Sequence, residues 1–271
     1  MVPLEIQHNA RLAAGALVAV AARAVNGAFT FNASHLPGRK TACAVAFAVY
    51  LVAGYRSIHH VGLGGDEPHY LVLTQSVLLD HDLKIENNHE RADYRQYFGG
   101  ALRPDYLTRG VDGEIYSIHA PGVSVLVAPA FAVAGYPGAV VTVLAAVALA
   151  LALLWRSAWR LTGSASAAWF AWAGVMAAAP LVLHGFTIYP DTVGTAAVMA
   201  GVLMLVELER DPSHPRPRWQ WVTLGAALAG LPWLHTRFVI VAAVLGVILA
   251  ARTWRAAGPR AVAALLAVPL V

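Results

Sequence analysis

Apolar runs of near-membrane length, separated by short turns that carry arginine, restrict this chain more than any other feature of its sequence. The runs cover 41–58, 139–155, 165–183, 192–206, 219–234 and 238–251, and a further apolar segment opens after Pro259. A helix needs about 20 apolar residues to cross a hydrocarbon core of roughly 30 Å; several runs are shorter, as alanine-rich, closely packed helices or a thin bilayer allow. Hydrophobic residues make up 58% of the chain and charged residues 13%, against about 45–50% and 25% in a soluble domain. That balance predicts an all-α, polytopic transmembrane helix bundle. The formal charge of +4 is then a topology signal first, and no basic run interleaved with aromatics points to nucleic acid. Cys43, the single cysteine, lies inside an apolar run, which excludes a disulfide framework and a thiolate metal cluster.

Charge fixes the threading. The run Gly122 to Ala134 is short, carries Pro129 and follows Ser117-Ile118-His119-Ala120-Pro121-Gly122. If it does not span, Arg39/Lys40, Arg156/Arg160, Arg210/Arg216/Arg218 and Arg252/Arg255/Arg260 share one side, and Arg237 is the one cation on the opposite short connections. If it spans, the three arginine clusters move outside, against the positive-inside rule. It is therefore read as a re-entrant or surface-lying helix within a long outer first loop, 57–137, that carries juxtamembrane helices. Residues 1–40 are read as a cytoplasmic or interfacial segment, because Arg11 and Arg23 bracket an apolar stretch too short to cross. Residues 41–271 form the transmembrane domain. Its last apolar segment stops before it could cross, so the chain is expected to be the C-terminally truncated front portion of a longer protein.

Within the outer loop, Gly64-Gly65-Asp66-Glu67-Pro68-His69-Tyr70 leads into an apolar run, 71–79, whose one side is expected to rest on the bilayer. Asp66 suits a helix N-cap and Pro68 a first turn, so the acidic pair has a purely structural use. The threading, however, brings Asp66, Glu67, Asp191, His235 and Arg237 to one outer boundary. A carboxylate at a partly desolvated boundary is a better base than one in open water. Asp66 is the expected base, with Glu67 and Asp191 as oxygen ligands for a divalent metal or as groups that orient it. For an anionic leaving group the candidate cations are Arg237, with His235 beside it, and Arg103 or Arg109 of the aromatic stretch 87–114. Asp191 also suits the cap of a helix beginning near Thr192, and Trp155, Trp159, Trp219 and Trp254 are read as interfacial anchors. No Walker, Rossmann or HExxH motif occurs.

Over 41–238 these features together resemble the membrane glycosyltransferases of the GT-C class, in the branch of protein O-mannosyltransferases and aminoarabinose transferases. The features are a first span, an outer Gly-Asp-Glu-Pro-His-Tyr opening a helix, a Ser-Ile-His-Ala-Pro-Gly turn into a second helix, and spans meeting at Tyr189-Pro190-Asp191. The resemblance implies an inverting transferase that moves a sugar from a polyprenyl-phosphate donor to a lipid, glycan or protein acceptor at the outer face of the plasma membrane. It implies Asp66 as the catalytic carboxylate, Glu67 as its neighbour, and Asp191 as a second outer acid that shapes the site or helps hold a metal. His119 falls in a turn that often reads His-Pro-Pro in relatives, and Ala120 replaces the first proline here. The alternative is a transporter, a flippase or a non-catalytic membrane protein. Transporters place ionisable groups within their spans, and the span centres here are almost free of charge.

Overall fold

The structure, a computed structural model of the chain, describes residues 38–60 and 62–268. The expected N-terminal segment, 1–40, lies almost wholly outside the described residues. Their regular elements are all helices, with one isolated antiparallel bridge between Lys84 and Tyr116 and no named strand among the described residues. The helices are α1 (Arg39–His60), α2 (Glu67–Gln75), α3 (Glu86–Glu90), α4 (Gly122–Thr162), α5 (Ala165–Met176), α6 (Ala179–His184), α7 (Pro190–Arg210), α8 (Arg218–Leu234), α9 (Phe238–Ala257) and α10 (Pro259–Leu265). Among the described residues four helices, α1, α4, α7 and α9, are long and apolar enough to cross a membrane, as in a membrane-embedded protein. The expected span 165–183 is divided into α5 and α6 just ahead of Pro180, whose ring disfavours a helical residue before it and whose nitrogen cannot donate.

At 41 residues α4 would reach about 60 Å if straight, twice the bilayer core. It is not straight. Gly135 has φ 61 and ψ −145, a region that only glycine enters freely, and breaks the helix into an arm over 122–134 and another from 136. Pro137 then sits in the first turn of the second arm, where its missing N–H does no harm. A side chain on Gly138 would collide with the carbonyl of Ala130, although eight residues of straight helix would separate them by about 12 Å. The chain therefore doubles back at this corner, close to the boundary drawn from charge between 134 and 139.

The described residues divide into two compact units; one takes Phe47–Ala145 and Leu183–Thr192, the other the rest. In the first, Val72, Leu73, Ile85, Tyr94 and Ile115 form a small core, with Ala92, Tyr97, Phe98 and Leu102 packed around it. The long outer loop is thus an ordered cap. Wholly buried Asn88 donates to Asp80 (2.8 Å) and Asp93 (3.1 Å), and Arg91 bonds the same two carboxylates at 2.7 and 2.9 Å. α2 lies inside this cap rather than resting one side on lipid. Leu71 to Gln75 are buried all round, and the hydroxyl of Ser124, in the first arm of α4, donates to the carbonyl of Tyr70 at 2.8 Å. A π-helical turn, Ser76–Asp80, prolongs α2 and ends at His81, whose φ of 58 is left-handed.

In the second unit Gly194 and Gly201, seven residues apart on α7, face Phe238 and Leu245, seven apart on α9. The missing side chains let these helices approach along a heptad-spaced seam. Gly225 of α8 meets the carbonyl of Leu265 in α10 in the same manner. The far side of α9 leaves Val239, Ile240, Val244, Val247 and Ile248 exposed, a stripe suited to lipid. Of the expected tryptophan anchors, Trp219 and Trp254 are exposed near helix ends, whereas Trp155 is buried against Trp169, which also contacts Trp172. Trp155 is a core residue because its turn of α4 faces α5.

Candidate active site

The Gly64 to Tyr70 stretch is shaped by a segment more than a hundred residues away. Glu67 is 4% exposed. Its Oε1 accepts the N–H of Ile188 at 2.8 Å and its Oε2 accepts that of Gly64 at 3.3 Å. The hydroxyl of Tyr189 in turn accepts the N–H of Asp66 at 3.0 Å. Gly65 has φ 58, and a side chain there would strike that hydroxyl, so both conformation and space call for glycine. The turn between α6 and α7 is itself pinned on one carbonyl: His184 O accepts from Thr187 N–H (3.1 Å), Thr187 Oγ1 (2.9 Å) and Thr192 Oγ1 (3.3 Å). Asp191 lies two residues beyond Tyr189, exposed in the first turn of α7, where its charge suits the helix dipole.

Asp66 does not do the capping that its position offers. Its backbone is helical (φ −85, ψ −7) and its side chain makes no bond to the helix N-terminus; an N-cap residue is normally extended and bonded to N2 or N3. Its carboxylate is exposed. The desolvation expected for Asp66 falls on Glu67, whose carboxyl burial pushes above its usual 4.5 while the two backbone N–H groups pull it down. The buried acid is the clasp, and the exposed acid is the one open to solvent.

Around this clasp the structure gathers His69, Tyr70, Asp105 and His119. The His119 ring centroid lies 4.7 Å from that of Tyr70 and 5.8 Å from that of His69, and its Nε2 is 3.2 Å from Asp105 Oδ2. Ser117 Oγ accepts the N–H of His119 at 3.1 Å and the carbonyl of Asp105 that of Ile118 at 3.1 Å, which sets the turn that the sequence singled out. Nδ1 of His69 is buried without a hydrogen-bond partner. Burial first, and His119 as well, lower the basicity of His69, against the pull of Asp105 and Asp66. Burial, with both carboxylates of the motif nearby, holds the Tyr189 phenol above its usual value despite the bond from Asp66.

An open cleft of about 720 Å3 runs beside the clasp, lined by Arg56, Ser57, Gly64, Glu67, His184 and Tyr189 among others. Arg56 is exposed in the last turns of α1 and forms no ion pair with any described residue. Sequence reasoning passed over it because it fell within the run 41–58; the available signal was an arginine near the end of a span, where such side chains reach out to the interface. Asp105 was also passed over, since only folding brings it to His119, and His69 and Tyr189 stood in the quoted motifs without a role.

Two of the other expected cations, Arg103 and Arg109, belong to the cap. Arg109 is committed to Glu86 by two bonds, at 2.7 and 2.5 Å, and to the carbonyl of Gly113 at 2.7 Å, so it braces the cap. Arg103 is exposed and forms no ion pair with a described residue. His235 and Arg237 belong to the second unit, where Arg237 precedes α9 and donates its N–H to His235 Nδ1 at 3.2 Å. Glu67 spends both oxygens on backbone N–H groups, and no group of three or more His, Cys, Asp or Glu with ligand geometry occurs among the described residues. Compared with protein-family models, curated proteins and solved structures, the chain finds no match in any of the three.

Proposed function

We propose that this chain is a membrane glycosyltransferase of the GT-C type, which moves a sugar with inversion from a polyprenyl-phosphate donor to an acceptor at the outer face of the plasma membrane. The observation that carries the reading is the bond from Ile188 to Glu67 at 2.8 Å. It joins the acidic motif to the turn before α7 and leaves Asp66 exposed next to a cleft that Arg56 lines.

In this reading the acceptor, a lipid, glycan or protein hydroxyl or amine, gives its proton to Asp66 as it attacks the anomeric carbon. The bond between that carbon and the phosphate oxygen breaks, and polyprenyl phosphate leaves with the electron pair. Arg56 steadies the developing phosphate charge, as a cation beside a leaving group does. Glu67 and Tyr189 are positioning residues: they hold the backbone of 64–66, and so the direction of the Asp66 carboxylate. No step is routed through a metal.

The test uses the full chain in proteoliposomes, with radiolabelled polyprenyl-phosphate sugars and a lipid or peptide acceptor. Transfer is expected from the unaltered protein, and Asp66→Asn is expected to lower it about 100-fold or more, the usual worth of a general base. Turnover unchanged by Asp66→Asn overturns the mechanism.

A further inference from the structure

A second polar cavity lies in the other unit, at the turn that joins α7 to α8. It measures about 660 Å3 and is lined by Arg216, Arg218, Arg260, His214, Trp221 and the last residues of α9, with no Asp or Glu among its walls. The geometry points to a binding site for the phosphate of an anionic phospholipid headgroup, taken from the leaflet on the arginine-rich side of the membrane.

Four observations carry this. Two neighbouring acids are already engaged, Glu207 with Arg156 at 3.5 Å and Glu209 with Arg252 at 2.6 Å, while Asp211 lies 3.8 Å from His214, which pairs with it only when protonated. Arg218 and Arg260 form no ion pair with any described residue, so their charge faces the cavity uncompensated. Arg216 is built into the wall, its terminal nitrogens donating to the carbonyls of His214 (2.9 Å), Glu207 (3.0 Å) and Asp211 (3.0 Å). Its Nε is buried with no partner. Finally, α8 begins here after Pro217 with no side-chain cap, so its first N–H groups add to the positive field. Guanidinium groups with unmet donors, beside a buried Trp221 and the apolar end of α9, match a phosphodiester that carries acyl chains. Basic pockets between helices on the cytoplasmic side take such headgroups.

The experiment uses the full chain in neutral detergent. Retained lipid is counted by native mass spectrometry, and apparent Tm is followed, on adding phosphatidylglycerol, phosphatidylcholine or inorganic phosphate. Phosphatidylglycerol is expected to be retained and to raise Tm, whereas phosphatidylcholine is not. The double variant Arg218→Gln/Arg260→Gln changes two exposed side chains that form no ion pair or hydrogen bond with a described residue; it is expected to weaken retention about 25-fold, roughly fivefold for each arginine near an anionic surface. Arg255→Gln, on the exposed last turn of α9 and outside the cavity, is the control and is expected to retain phosphatidylglycerol almost fully. Equal retention by the double variant and the unaltered chain overturns the site. So does an equal loss in the control, which would mark general surface charge. Inorganic phosphate giving the whole effect, with phosphatidylglycerol adding nothing, overturns the assignment to lipid.

Discussion

Glu67 and His69 sit two residues apart and respond to pH in opposite senses. Burial raises the Glu67 carboxyl above its usual 4.5. Just above that pH the folded chain keeps a proton that the unfolded chain has released, so this contribution to stability falls as pH rises from 4.5. Burial lowers the His69 imidazole below its usual 6.5. The unfolded chain then takes up the proton first, and stability falls as pH drops below 6.5. Thermal scans in detergent should show wild type losing ground to Glu67→Gln as pH climbs from 4.5, and losing ground to His69→Phe as pH descends from 6.5. Flat differences across either range would contradict the burial that the structure assigns. Glu67→Ala removes the acceptor for two N–H groups, and at neutral pH it is expected to cost about 3 kcal/mol, the worth of two modest buried bonds left unmade.

At the scale of elements, the corner in α4 rests on glycines for two separate reasons. Gly135 supplies a backbone conformation closed to other residues, and Gly138 leaves room for the carbonyl of Ala130. Gly135→Ala is expected to cost about 1–3 kcal/mol through strain, and Gly138→Ala a similar amount through overpacking. Both variants should show faster proteolysis of the segment around 122–140 than of α9. Equal protection of the two regions would argue against a folded-back corner. The sequence already marked this corner, because charge forbade a second crossing and proline stood on either side of Gly135. It did not disclose the burial of α2. The run 71–79 reads as a one-sided helix, since nothing in it announces that Ile85, Tyr94 and Ile115 will cover the other side. Periodicity reports which residues are apolar, and what they meet depends on chain that returns from elsewhere.

At the scale of the whole molecule, the regular elements among the described residues are all helices, and four are long and apolar enough to cross a membrane, as the apolar runs lead one to expect. The site was legible only in part. Asp66 and Glu67 stood out as an acidic pair, yet their division of labour rests on which carboxylate meets Ile188 and Gly64, and adjacent letters do not encode that. Arg56 was hidden by the apolar run that contains it. α8 offers a sharp check on the threading, since at 17 residues it is shorter than the four long spans. In a Cys43→Ala background, Ser213→Cys and Thr236→Cys stand at its two ends, and an impermeant thiol reagent applied to intact cells is expected to label residue 236 and not 213. Labelling of both from outside would refute the assigned topology.

The bond between Ile188 and Glu67 spans 121 residues of chain. At a synthesis rate of roughly 5–20 residues per second, Glu67 waits on the order of 6–24 seconds for its partner to leave the ribosome. During that interval the carboxylate has no N–H from Ile188 and the backbone of Gly64 to Asp66 has no fixed course. A nascent chain that has made α1 and α4 but not the turn before α7 therefore carries the acidic motif without the contacts that order it, and the arrival of Ile188 and Tyr189 supplies them.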